Sequence, residues 1–116
     1  MNPPTLLTVI YADPAESGMP AEALRMAMGL GTGPRTLQMV LMGPAAKMLM
    51  DDVDDLVDGE MIENNLDVFE EWGTVFHVER AAISAHDISD PVVEVVPVET
   101  ADVARMMAAA HQVLVF

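Results

Sequence analysis

"TVFHVERAAISAHDI", residues 74–88, is the stretch whose reading decides the fold. "TVFHV" is short, β-branched and aromatic, which suits a buried strand. The chain then turns polar at Glu79-Arg80 and continues into "AAISAH", a short helix or turn. A strand that runs through a polar junction into a helix is a unit of a parallel α/β sheet. In such sheets, sites gather at the C-terminal ends of the strands. This junction offers His77, Glu79, Arg80 and His86.

Outward from that unit, the same alternation continues in both directions. "TLLTVIY" (5–11) and "TLQMVLM" (36–42) read as two further buried strands. Between them lies a loop, "ADPAESGMP", in which Ser17 is placed to cap a helix and Pro20 suits its first turn. The helix is "AEALRMAMGL", with Ala21, Leu24, Ala27 and Met28 on one face. After Gly43-Pro44, a stripe of Ala46, Leu49, Met50, Val53, Leu56 and Val57 excludes Asp51, Asp52, Asp54, Asp55 and Asp58. That pattern predicts an amphipathic helix of about four turns ending at Gly59. A second helix follows, with Ile62, Leu66, Phe69 and Trp72 at helical spacing and Gly73 as its stop.

Downstream, "PVVEVVPV" (91–98) holds a fourth strand, expected to end at Pro97. Thr100 is placed to cap the next helix, whose buried side is Val103, Met106, Met107 and Ala110. "QVLVF" is the fifth strand. The order β-α-β-α-α-β-α-β-α-β predicts a three-layer α/β/α sandwich around a five-stranded, mostly parallel sheet. Residues 1–116 read as one domain, without linker, repeat or low-complexity segment.

Composition narrows the function classes. The 116 residues are 52% hydrophobic, which argues for a folded core, and no apolar run nears the ~20 residues of a membrane helix. The opening "MNPPTLLTVIYADP" has no basic segment before its apolar run, so no signal peptide is expected and the protein is placed in the cytoplasm. Net charge is -14, from 19 acids against the 5 bases Arg25, Arg35, Lys47, Arg80 and Arg105. Nucleic acid and anionic membranes are therefore not expected as partners. The acidity suits solubility, a salt-rich cytoplasm or a basic protein partner. The absence of cysteine removes disulfides, zinc–thiolate sites and thiol nucleophiles.

Several groups deserve weighing as sites. Glu79, Arg80, His77 and His86 form either a polar pocket at the sheet edge or a surface ion pair with solvated histidines. The block Asp51–Glu71 holds ten acids and no base. It reads as the solvated side of two helices or as a docking surface for a basic partner. It lacks the spacing of a calcium loop. His77, His86 and His111 match no short ligand motif, so no metal and no other cofactor is expected. "GLGTGP" follows a helix and precedes a strand, the reverse of a phosphate loop, and reads as a connection. "ADPAESG" has the right order without the glycine fingerprint, and Asp13 lies nearest its strand end. Of eleven methionines, most suit core filling, while Met26 and Met48 are candidates for a subunit interface.

Taken together, "VIYADPAESGMPAEALRMAMGL", "VLMGPAAKML", "VERAAISAHDI" and "ETADVARMMAAAHQVLVF", in this order, resemble the DsrE/DsrF/DsrH family, which includes the TusB, TusC and TusD sulfur-relay proteins. The likeness spans nearly the whole chain. It implies a small α/β domain that forms oligomers: a homo-oligomer, with trimer and hexamer among the options, or a hetero-oligomer with a paralogue. Some family members carry sulfur as a persulfide on the loop after a strand. That cysteine would align near Glu79, and the family's Arg-Gly near His86-Asp87; this chain has neither. A carboxylate cannot form a persulfide, so the carrier role does not transfer. The resemblance then implies a non-catalytic accessory or binding subunit with no catalytic residues of its own. A small-molecule binder or enzyme would instead draw on Asp13, Gly43, Glu79, Arg80 and His86. An acidic protein-interaction module is the third reading.

Overall fold

The computed structural model describes residues 4–50 and 52–116; Asp51 of the acidic block and residues 1–3 of the opening segment lie outside the described residues. The elements are β1 (Thr5–Ile10), α1 (Met19–Leu30), β2 (Thr36–Leu41), a 3-10 helix (Gly43–Leu49), α2 (Gly59–Glu71), β3 (Val75–Glu79), α3 (Arg80–Ala85), β4 (Glu94–Val98), α4 (Thr100–Ala109) and β5 (Gln112–Val115). Every strand pairing is parallel, and the strand order is β4-β3-β2-β1-β5.

That order explains the layers. From β1 to β4 the chain steps across the sheet in one direction, so right-handed crossovers put α1, α2, α3 and the 3-10 helix on one face. The step from β4 back to β5 beside β1 runs the other way and puts α4 alone on the opposite face. The thick side holds the main core: Ile10, Leu24, Met39, Leu41, Ile62 and Phe69 are among its buried members. Phe69 is its hub, edge-on to Phe76 at 5.5 Å and to Trp72 at 5.7 Å. The thin side is a smaller cluster of Leu7, Val9, Val40, Val98 and Val103. β1 serves both, with Leu6, Leu7, Thr8 and Ile10 fully buried. An unbroken apolar run is what a strand covered on both faces requires.

The long helix expected over residues 46–58 does not form. The 3-10 helix ends at Leu49, and residues 52–58 are loop and turn. Aspartate disfavours helix interiors because its carboxylate bonds nearby backbone instead. Asp52 does this here, accepting the amide of Asp54 at 2.9 Å. Asp58 takes a left-handed conformation (φ 55°) just before α2, which interrupts any continuous helix. The loop is anchored by the Val57 amide on the Pro14 carbonyl at 2.7 Å.

Smaller differences have equally local causes. Pro97 does not end the fourth strand but lies inside it; β4 is an edge strand, where a missing N–H is tolerated. Ser17 accepts the Met19 amide at 3.0 Å, one residue ahead of Gly18, the cap position of α1. Thr100 is the first residue of α4 rather than its cap. Glu99 caps, in a reciprocal box with Asp102. Met107 is 39% exposed rather than buried. Met48, expected at an interface, is 1% exposed in the main core, whereas Met26 is 37% exposed on α1.

At Gly59 the chain crosses itself closely. A Cβ there would lie 2.0 Å from the Val53 carbonyl oxygen and 3.0 Å from its carbon. These are backbone atoms, so no rotamer change relieves the overlap. Gly59→Ala is therefore expected to lower stability by about 1–3 kcal/mol in urea unfolding. An unchanged midpoint would show that the loop yields freely.

Candidate functional site

The C-terminal ends of the strands bring together most of the residues expected from sequence, in two clusters. Glu79 is the last residue of β3 and points to the α4 side, since it pairs with Val98 in register. Its Oε1 accepts the Gly43 amide at 3.1 Å, and its Oε2 accepts the Thr100 hydroxyl at 3.1 Å. One carboxylate thus ties the end of β2, through the 3-10 helix, to the first turn of α4. Gly43 is in the left-handed region (φ 52°), which aims its N–H at Glu79, and only glycine adopts this at no steric cost. Arg80 does not pair with its neighbour Glu79. It reaches Glu99 at 2.7 Å, on open surface.

The second cluster lies beside the loop after β1. Asp13 accepts the Ala15 amide at 2.9 Å and both of its oxygens face the Lys47 ammonium, the shorter distance being 3.1 Å. Both side chains are about three-quarters covered, at 24% and 27% exposure. The Ala15 amide, then Lys47, hold the Asp13 carboxyl below its ordinary pKa, against an opposing effect of burial. The 3-10 helix carries both Gly43 and Lys47, so it joins the two clusters. Lys47 is the residue that sequence reading passed over. Its partner lies 34 positions away, and no local pattern announces the pair.

The three histidines are apart in role. His77 Nδ1 lies 3.3 Å from the Met39 carbonyl, on the sheet. His111 Nδ1 accepts the Thr5 amide at 3.0 Å. His86 lines a shallow groove with Leu49, Met50 and Asp90. Among the described residues, no group of three His, Cys, Asp or Glu side chains is placed to hold a metal ion. Among the same residues, no helix is long and apolar enough to cross a membrane.

The fold has a counterpart of known structure. The chain is similar to the ychN protein from E. coli, known from a crystal structure, with a TM-score of 0.81 over 97% of this chain and 99% of that one. Sequence identity is 18%, so the likeness shows the fold alone. The architecture is a DsrE/DsrF-like α/β fold with a five-stranded parallel sheet. No family model matches the sequence, and no curated protein matches it.

Two outcomes follow from these bonds. Glu79→Ala leaves the part-buried Gly43 amide without its partner and turns the exposed Thr100 hydroxyl to water, and is expected to cost about 1–2 kcal/mol. Glu79→Gln keeps an acceptor for the amide and a donor for the hydroxyl oxygen, and should cost under about 1 kcal/mol in the same urea titration. Equal losses would count against the brace. For Asp13, the folded pKa is depressed below the ordinary 3.8. Its stabilisation is therefore complete above the unfolded pKa and lost as pH falls through the lower folded value. Asp13→Asn should be less stable than the parent at about pH 7, and the gap should close as acid takes the pH below the ordinary carboxylate range and protonates Asp13 in the folded state. A gap that persists in acid would assign the loss to packing instead.

Proposed function

We propose that this chain is a non-catalytic DsrE/DsrF-like subunit that acts by assembly and binding, as an accessory of sulfur relay. The carrying observation is Glu79. It stands where the resemblance puts a carrier cysteine, and both of its oxygens are engaged in holding Gly43 and Thr100. A carboxylate used as a brace is neither a nucleophile nor a free base.

The thin side of the sheet supports the assembly reading. Five strands at about 4.8 Å spacing span roughly 19 Å, and one helix of about 10 Å covers only half of that. Apolar residues of this face remain open on both sides of α4: Val96 on β4 is 40% exposed and Val115 on β5 is 51% exposed, with Met107 of α4 at 39%. By register, Val96 pairs with His77 and Val115 with Val9, which puts both on the α4 side. Beside it, Arg105 of α4 pairs with Asp102, and Arg80, at the start of α3, reaches over to Glu99 at the cap of α4. In a chain of net charge -14, these two pairs lower the repulsion that a second copy would meet beside α4.

Native mass spectrometry of the untagged protein tests the reading. The expected result is a homo-oligomer without added mass, reduced to monomer by the double change Val96→Asp and Val115→Asp with the far-UV spectrum unchanged. A discrete extra mass on each subunit, lost when Glu79 and His86 are both replaced by alanine, would overturn it in favour of a small-molecule site.

A further inference from the structure

A groove of about 350 Å³ runs along the thick side of the molecule, away from the α4 face. Its floor is apolar: Leu49 and Leu66 are nearly buried, while Met50 is 42% and Val92 48% exposed. Its rim is acidic and comes from two distant parts of the chain, Glu63 and Asp67 on α2 and Asp90 before β4. All three are exposed. A second groove of about 260 Å³ continues it, sharing Leu49, Met50 and Asp90 and adding Asp52 and Asp87 to the rim. The two together make a long, open trough. Among the described residues that line it, His86 is the one able to take positive charge.

Charge decides the occupant. Four of the five bases are committed to ion pairs: Lys47 with Asp13, Arg25 with Glu22, Arg80 with Glu99 and Arg105 with Asp102. Among the described residues, Arg35 alone is outside such a pair. A second copy therefore offers few cations to match this rim and would bring its own net negative charge. Nucleic acid and anionic lipid are repelled for the same reason. The carboxylates stand along the trough's edges rather than around one point, which suits a row of cations and not a metal ion. Flexible Met50 on the floor suits an apolar side chain whose shape is not fixed in advance.

We propose that this trough docks a basic amphipathic segment of another protein. Apolar side chains of the segment enter between Met50, Leu66 and Val92, and its lysines or arginines lie along Glu63, Asp67 and Asp90. This docking is independent of the α4 face and of the assembly proposed there, so the failure of either leaves the other standing.

The test uses the full chain and a fluorescein-labelled synthetic peptide of leucine and lysine patterned as an amphipathic helix. A scrambled peptide of the same composition is the control. Fluorescence anisotropy is read for the parent and for two triple variants of equal charge. One removes the rim (Glu63→Gln, Asp67→Asn, Asp90→Asn). The other removes acids outside the trough (Glu16→Gln, Glu22→Gln, Glu94→Gln). Thermal unfolding verifies that each variant is folded, and Val92→Ser, at an exposed position, probes the floor without altering charge. The patterned peptide is expected to bind more tightly than the scrambled one, to weaken roughly tenfold or more on loss of the rim, and to change within about twofold in the control triple. Val92→Ser should also weaken it, and added salt should weaken it further. Equal losses in the two triples, or equal binding of the two peptides, would reduce the effect to diffuse attraction by net charge and overturn the proposal. So would an absence of binding, or a dimer that Val92→Asp dissolves, which would give the trough to a second copy.

Discussion

The constraint on which the molecule depends is the placement of β5 beside β1. Four strands are added in one direction and the fifth on the far side of the first. β1 therefore becomes interior and must be apolar towards both faces, which Leu6 to Ile10 satisfy with the single exception of Thr8. The same reversal sends one helix to the opposite face and leaves the other helices together. The imbalance between the thick and thin sides is thus a result of topology and not of any one side chain.

The imbalance also separates two kinds of surface. On the thick side, helices and loops seal the core and turn most of their acids to solvent. On the thin side, sheet residues remain partly uncovered and the acids near α4 are matched by arginines. At the sheet edge between them, Glu79 and the Asp13–Lys47 pair fix the loops through bonds between residues remote in sequence. A short core of this kind gains order from such ties, because each loop is held at a point other than its own strand.

The strands were legible because their apolar runs are short, β-branched and bounded by Gly, Pro or Asp. The parallel arrangement followed from alternation. The helix expected at 46–58 was misread because periodicity counts where apolar residues fall and ignores what lies between them. Four aspartates in five positions favour turns, and the close approach of Val53 to Gly59 requires one. Thr100 was read as a cap because its type suits that role, but its hydroxyl bonds to Glu79, 21 residues earlier. Met48 and Met26 looked alike in sequence, and only the path of the 3-10 helix buries the first. Asp13, Gly43 and Glu79 are candidates from their position at strand ends, and His86 from the end of the short helix after β3. The sequence does not reveal that Gly43 bonds to Glu79, or that Lys47 completes the Asp13 cluster.

Pro97 has a consequence beyond its own strand. It sits in β4, at one border of the sheet, and removes a donor from the row of backbone groups that a docking strand would read. A ladder begun there would lack a rung, so growth of the sheet from molecule to molecule along that border is disfavoured. Along that border, association is left to faces. Contacts between faces close into finite assemblies when the same patch meets itself, whereas border-to-border pairing has no natural end. A single imino acid thus blunts one of the sheet's two borders.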